Sequence, residues 1–142
     1  MPKQGYIVLI EDDQDDKELL IEIIRQIDGK HEVLWFDNCD AALTFLRETP
    51  EPVFIIFSDI NLPRKTGIEL KYEIDREPAL QFKSIPFIFY STSTTEREVD
   101  EAFSNLNIQG FFKKENSYCA IKSTIEVILQ YWSLSKRPGD GK

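Results

Sequence analysis

Val53-Phe54-Ile55-Ile56-Phe57-Ser58-Asp59 is the most informative stretch of the chain. Five apolar residues run without a polar break and end on a hydroxyl and a carboxylate. A continuous apolar run of this length marks a strand covered on both faces, and such strands belong to parallel sheets. Tyr6–Ile10 is a second run of the same kind, ended by Glu11, Asp12 and Asp13. Glu32–Phe36 is a third. Residues 86–90 form a fourth, with Pro86 at the first position, where a missing N–H is tolerated. Gly110-Phe111-Phe112 is a short fifth. Stripes at helical spacing lie between and after them: Leu20, Ile23, Ile24 and Ile27 behind the acidic start signals of residues 13–16; Ala42, Phe45 and Leu46, stopped by Thr49-Pro50; Gly67, Leu70 and Ile74; Val99, Ala102, Phe103 and Leu106; and Ile121, Ile125, Ile128, Leu129 and Trp132. Residues 76–84 read as a polar connection and residues 91–95 as a hydroxyl-rich loop. Five strand–helix units in order imply an α/β domain, a parallel sheet with helices on both faces. They place that domain at residues 1–135 and a polar, flexible tail at 136–142.

The composition agrees. The 142 residues fit one domain on a prior of roughly 100–200 residues each. Asp and Glu number 25 against 17 Lys and Arg, a net charge of −8, which argues against nucleic-acid binding as the main function. An apolar share of 42% can build a core. The longest apolar runs span five residues where a membrane helix needs about 20. No stretch of signal-peptide length precedes Glu11, so the expected compartment is the cytoplasm. Cys39, Cys119 and the single histidine, His31, cannot supply the roughly four ligands of a zinc site. Both cysteines sit near predicted helix starts, where a thiol pKa can fall, yet they read as small, partly buried hydrophobes. His31 reads as a solvated surface residue. Trp132 fits the last apolar stripe and Tyr131 lies off it.

In open α/β sheets the ligand site lies beyond the carboxyl ends of the strands. Glu11, Asp12 and Asp13 follow the first strand, Asp59 the third, Ser91 and Thr92 the fourth, Lys113 and Lys114 the fifth. Clustered carboxylates raise one another's pKa unless a cation intervenes. An all-oxygen site without histidine suits a hard divalent ion such as Mg²⁺. A lysine and a hydroxyl nearby can hold phosphoryl oxygens. The residues thus point to Mg²⁺-assisted phosphoryl chemistry. Helix capping competes with that reading: for Asp13, Asp15 and Asp16 it is the preferred one, and for Glu11 and Asp12 both stand. Asp59 ends an apolar strand and starts no helix directly, so a buried carboxylate there needs another reason.

Four motifs now stand in order: Ile10-Glu11-Asp12-Asp13; Asp59-Ile60-Asn61-Leu62-Pro63 with Gly67; Pro86-Phe87-Ile88-Phe89-Tyr90-Ser91-Thr92; and Phe111-Phe112-Lys113-Lys114. Together they resemble the response-regulator receiver domain of two-component signalling, from about Tyr6 to Trp132. The resemblance implies a doubly wound five-stranded sheet in the flavodoxin-like order 2-1-3-4-5. It implies that Asp59 is phosphorylated. Asp12 is then the direct Mg²⁺ ligand, Glu11 acts mainly through water, and the backbone carbonyl of Asn61 completes the metal shell. Ser91 is the switch hydroxyl, Phe111 the aromatic that moves with it, and Lys114 the lysine that pairs with Asp59. The lysine doublet is resolved toward Lys114 by counting from Gly110 and forward to Ile121. In the family a proline, often cis, follows this lysine. Here Glu115 follows, and a trans bond is expected because a cis bond without proline costs about 2.5–4 kcal/mol. Thr92 stands where the family prefers a small residue and is expected to narrow access to Asp59. The side chains of Asn61 and Ser93 are expected to tune hydrolysis.

The function so implied is a phosphoacceptor switch, not an enzyme acting on other substrates. Its partners would be a sensor histidine kinase or phosphotransfer protein and an unidentified downstream protein. The downstream contact would use the helix after the fourth strand, the fifth strand and the last helix. A haloacid-dehalogenase-like Mg²⁺ phosphatase would need an acid at position 61, where Asn61 cannot donate the proton. No Gly-x-x-x-x-Gly-Lys or Gly-x-Gly-x-x-Gly is present for a nucleotide. A receiver-like scaffold working unphosphorylated remains the alternative, although it would have no need of a costly carboxylate cluster.

Overall fold

The computed structural model describes residues 5–92 and 95–136. β1 (Tyr6–Ile10), β2 (Glu32–Phe36), β3 (Val53–Ser58), β4 (Phe87–Ser91) and β5 (Gly110–Lys113) form one parallel sheet in the order β2-β1-β3-β4-β5. This is the order that the resemblance implied. All six residues of β3 are buried, as a central strand requires. α1 (Gln14–Ile27) and α6 (Tyr118–Leu134) cover one face, packing Leu20, Ile23, Ile24, Ile121, Ile125 and Ile128 on Ile7, Leu9, Phe57 and Tyr90. α2 (Cys39–Glu48), α3 (Gly67–Arg76), α4 (Pro78–Phe82) and α5 (Glu96–Asn105) cover the other, over Val8, Ile10, Ile56, Phe87 and Phe89.

Local chemistry sets the helix starts. Asp13 and Asn38 cap α1 and α2 through their side-chain oxygens, and Ser117 does the same for α6. Thr66 with Glu69, and Thr95 with Glu98, form reciprocal capping boxes on α3 and α5. For Asp13 the capping reading therefore holds. Among the described residues, no helix is long and apolar enough to cross a membrane.

Four expectations need correction. The connection at residues 76–84 contains α4, which starts on Pro78 and anchors itself on one buried residue, Leu80. A single apolar anchor leaves no periodicity to read. Phe103 is 60% exposed, while Ala102 on α5 and Leu106 just after it face the core. Cys119 is exposed rather than partly buried. Cys39 is buried, and burial pushes its thiol up to about 12, the opposite of helix-start activation. The imidazole of His31 is nearly buried. It bonds the Asp28 carboxylate at 2.7 Å and stacks on the Phe54 ring at 4.1 Å. A register shift between β1 and β3 puts Phe54 and Ile55 on the same face, a local break in alternation that sequence pattern does not show.

Candidate functional site

Three backbone hydrogen bonds carry the sheet's ladder one residue past the strand ends. Glu11 N donates to Phe36 O at 3.0 Å, Asp59 N to Ile10 O at 3.0 Å, and Lys114 N to Ser91 O at 2.9 Å. They fix the heights at which Glu11, Asp59, Ser91 and Lys114 leave the sheet, so residues more than 100 positions apart meet on one rim. Glu11, Asp12 and Asp59 each offer a carboxylate oxygen, and these oxygens lie within 4.8 Å of one another.

Asp59 is buried, and its Oδ1 accepts a 2.7 Å bond from Ile60 N, which fixes the carboxylate plane. Its carbonyl accepts from the Ser58 hydroxyl at 2.8 Å. Gly67, at the start of α3, packs directly on this backbone. A Cβ there would collide with the Asp59 carbonyl oxygen, so position 67 must be glycine for α3 to seat.

The lysine doublet divides cleanly. Lys113 is exposed, and Lys114 is buried with its Nζ turned into the site. The ammonium bonds Glu11 Oε1, approaches Asp16 Oδ2 at 3.1 Å and stands 3.6 Å from Asp59 Oδ2. The second oxygen of Glu11 accepts from Asp13 N at 3.2 Å, and its main-chain carbonyl accepts from the Trp35 indole at 2.6 Å. Burial pushes Glu11 up to about 7; Lys114 offsets part of that rise and the neighbouring Asp59 charge adds to it. Burial pulls Lys114 down, but the bond and charge of Glu11, with Asp59 and Asp16, outweigh it and leave it above its ordinary value.

Ser91 is fully buried as the last residue of β4, and Thr92 beside it is exposed. Alternation puts Ser91 on the sheet face of Phe89 and Phe111, whose rings lie 5.5 Å apart. Phe111 is half-buried and Asn61 is exposed, two residues past Asp59. Ser93 lies outside the described residues. The Lys114–Glu115 bond is trans, as expected without proline. Sequence reading missed Asp16 as a partner of Lys114. Asp16 lies in the first turn of α1, and nothing in its local sequence marks a partner 98 positions away. The chemistry of the donor set fits a hard divalent ion: three carboxylates, no soft ligand, and water access through exposed Asp12.

Comparison with known proteins agrees with this geometry. The family model for the response regulator receiver domain matches residues 7–126. The chain belongs to that family. It is 29% identical over 132 residues to response regulator Rcp1 of Synechocystis sp., covering 89% of this chain and 87% of that protein. It is 28% identical over 141 residues to the probable methanogenesis regulatory protein FilR2 of Methanothrix harundinacea, covering 94% and 87%. Among solved structures, the phosphorylated cyanobacterial phytochrome response regulator RcpA superposes with a TM-score of 0.85 at 25% identity, covering 96% of this chain and 99% of that one. The Mn²⁺-bound form of Rcp1 superposes at 0.78 with 27% identity, covering 94% and 97%.

Proposed function

We propose that Asp59 accepts a phosphoryl group from a phosphohistidine, on a sensor kinase or phosphotransfer protein, with Mg²⁺ as cofactor, and that the domain then changes its protein-binding surface. The observation that carries this reading is the buried Asp59 carboxylate, 3.6 Å from the Lys114 ammonium and grouped with Glu11 and Asp12. In the reaction an Asp59 oxygen attacks phosphorus as the bond to the donor nitrogen breaks, and the donor histidine leaves. Asp12 and Asp59, with the main-chain carbonyl of Asn61 and with Glu11 through water, would hold the Mg²⁺. Bound there, the ion neutralises charge as the phosphoryl group arrives.

The chain's own groups do the rest. Ile60 N keeps Asp59 oriented. Lys114 gives up part of its hold on Glu11 and Asp16 to bond a phosphoryl oxygen. The Ser91 hydroxyl donates to another. As Ser91 turns inward, Phe111 follows into the space beside Phe89, which alters the surface of α5, β5 and α6. Thr92 narrows the approach to Asp59, and Asn61 with Ser93 tunes the water that ends the signal.

Incubation with Mg²⁺ and acetyl phosphate or a phosphoramidate, followed by intact mass, tests this. One added phosphoryl group, abolished by Asp59→Ala, is the expected result. No addition from any donor favours a scaffold, and multiple turnover of unrelated phosphate esters favours a phosphatase.

A further inference from the structure

Glu115 stands between Lys114 and α6, and its carboxylate joins three elements. The hydroxyl of Tyr90, the buried next-to-last residue of β4, donates to Glu115 Oε1 at 2.9 Å. The hydroxyl of Thr124, on α6, donates to Oε2 at 2.6 Å. One residue earlier, the main chain of Lys114 donates to Ser91 O at 2.9 Å. The last two residues of β4 therefore hold two successive residues leaving β5, one through main chain and one through side chains. Alternation makes this possible: Tyr90 points to the α1/α6 face, opposite Ser91, and reaches past the strand end to the loop.

A carboxylate with a hydroxyl on each oxygen has little freedom, and charge-assisted bonds of this kind are stronger than neutral ones. Burial pushes the Glu115 carboxyl up, but the Thr124 and Tyr90 hydroxyls together outweigh it and hold the group below the usual carboxylate range, so it is charged at neutral pH. Across the sheet end, the same loop presents Lys114 to Asp59.

We propose that Glu115 is a positioning residue for Lys114: its two hydroxyl bonds latch the loop between β5 and α6 onto β4 and α6, and so set where the ammonium stands over Asp59. The consequence for phosphoryl transfer rests on the phosphoacceptor reading; the latch does not. A proline restricts such a loop through its ring. Glu115 does it with bonds to Tyr90 on the neighbouring strand, the residue next to Ser91.

Two readouts on the full chain test this. The first is backbone hydrogen exchange at Lys114, the loop amide bonded to the main chain of β4. It should quicken about tenfold in Glu115→Ala and in the combined Tyr90→Phe, Thr124→Val variant, while β1 and β3 stay protected. The second is the rate of phosphoryl acceptance from acetyl phosphate at saturating Mg²⁺. Glu115→Ala should slow it about tenfold. Glu115→Gln, whose amide oxygen still accepts one hydroxyl, should recover about half of the rate. In a Lys114→Met background Glu115→Ala should cost nothing further, because a residue that acts only through Lys114 has nothing left to position. Unchanged exchange at Lys114 overturns the latch whether or not the wild type accepts phosphoryl. An equal slowing with and without Lys114 overturns the positioning role. A wild type that takes no phosphoryl group removes the phosphoacceptor reading instead, and the exchange result still decides the latch.

Discussion

Lys114 and Glu11, 103 positions apart in the chain, share a buried ion pair at the carboxyl end of the sheet. The pair couples the last strand to the first and sets the charge balance around Asp59: one ammonium faces Glu11, Asp16 and Asp59. Breaking a buried pair by removing one partner is expensive because the other charge stays behind. Lys114→Met is therefore expected to destabilise the metal-free protein by about 3 kcal/mol at pH 8. At pH 5 the loss should be smaller, since Glu11 then takes up a proton. Urea denaturation at the two pH values measures both, and equal losses would contradict the pairing.

Glu11 also gives the metal-free protein a signed pH response. Its carboxyl is raised from 4.5 to about 7 by burial. Between those values the folded chain holds a proton that the unfolded chain has released. Stability therefore falls as pH rises through this window and levels off above it, by at most about 3 kcal/mol. Lys114 is raised and titrates far above the window. Asp28 and Glu115 are held low, so their contributions are lost only as pH falls below the window, with the opposite slope. Denaturant midpoints from pH 4.5 to 8 in chelator should trace the fall, and Glu11→Gln should flatten it.

Gly67 tests how tightly the backbone holds Asp59, the proposed phosphoacceptor. A methyl group there meets the carbonyl of Asp59 itself, with the Ser58 hydroxyl next in line. Overpacking against main chain costs about 1–3 kcal/mol and moves what it touches. Gly67→Ala should lower stability by that amount and slow phosphorylation of Asp59 more than the stability loss explains. Gly29 has no atom within 4 Å of its would-be Cβ. Gly29→Ala should leave phosphorylation unchanged, which makes it the control.

The strands and the rim were legible because they follow from short-range rules. Buried parallel strands are apolar without alternation, and the polar residue that ends each one is forced onto the ligand edge. That logic located Glu11, Asp59, Ser91 and the pair Lys113-Lys114, and counting from Gly110 and to Ile121 under the family resemblance chose Lys114. It could not find α4, whose one turn rests on Leu80 alone. Nor could it find the His31–Asp28–Phe54 packing, which depends on a register shift between strands. Asp16 and Glu115 were hidden for another reason. Each reads locally as an ordinary polar residue, and its role is set by a partner from another element: Lys114 for Asp16, Tyr90 for Glu115.

Asp16 competes for the same ammonium from the exposed side of the site. Its side chain is 37% exposed, so its pairing with Lys114 is partly solvent-screened and contributes little to stability. Yet, on the proposed phosphoacceptor reading, its carboxylate would do two things to an incoming phosphoryl group: repel the negative charge, and occupy the ammonium that would turn toward that charge. Asp16→Asn removes both effects while keeping the side-chain shape. Stability should change by less than about 1 kcal/mol, and the rate of phosphoryl acceptance should rise about two- to fivefold at low salt. Trp35 provides the signal, since its indole bonds the Glu11 carbonyl, and Trp132→Phe removes the other tryptophan. The gain should shrink as ionic strength rises, because exposed charges are screened beyond about 8–10 Å at physiological salt. A slower variant would mean that Asp16 aims Lys114 productively instead of competing for it, and a gain that ignores salt would mean that charge is not the cause.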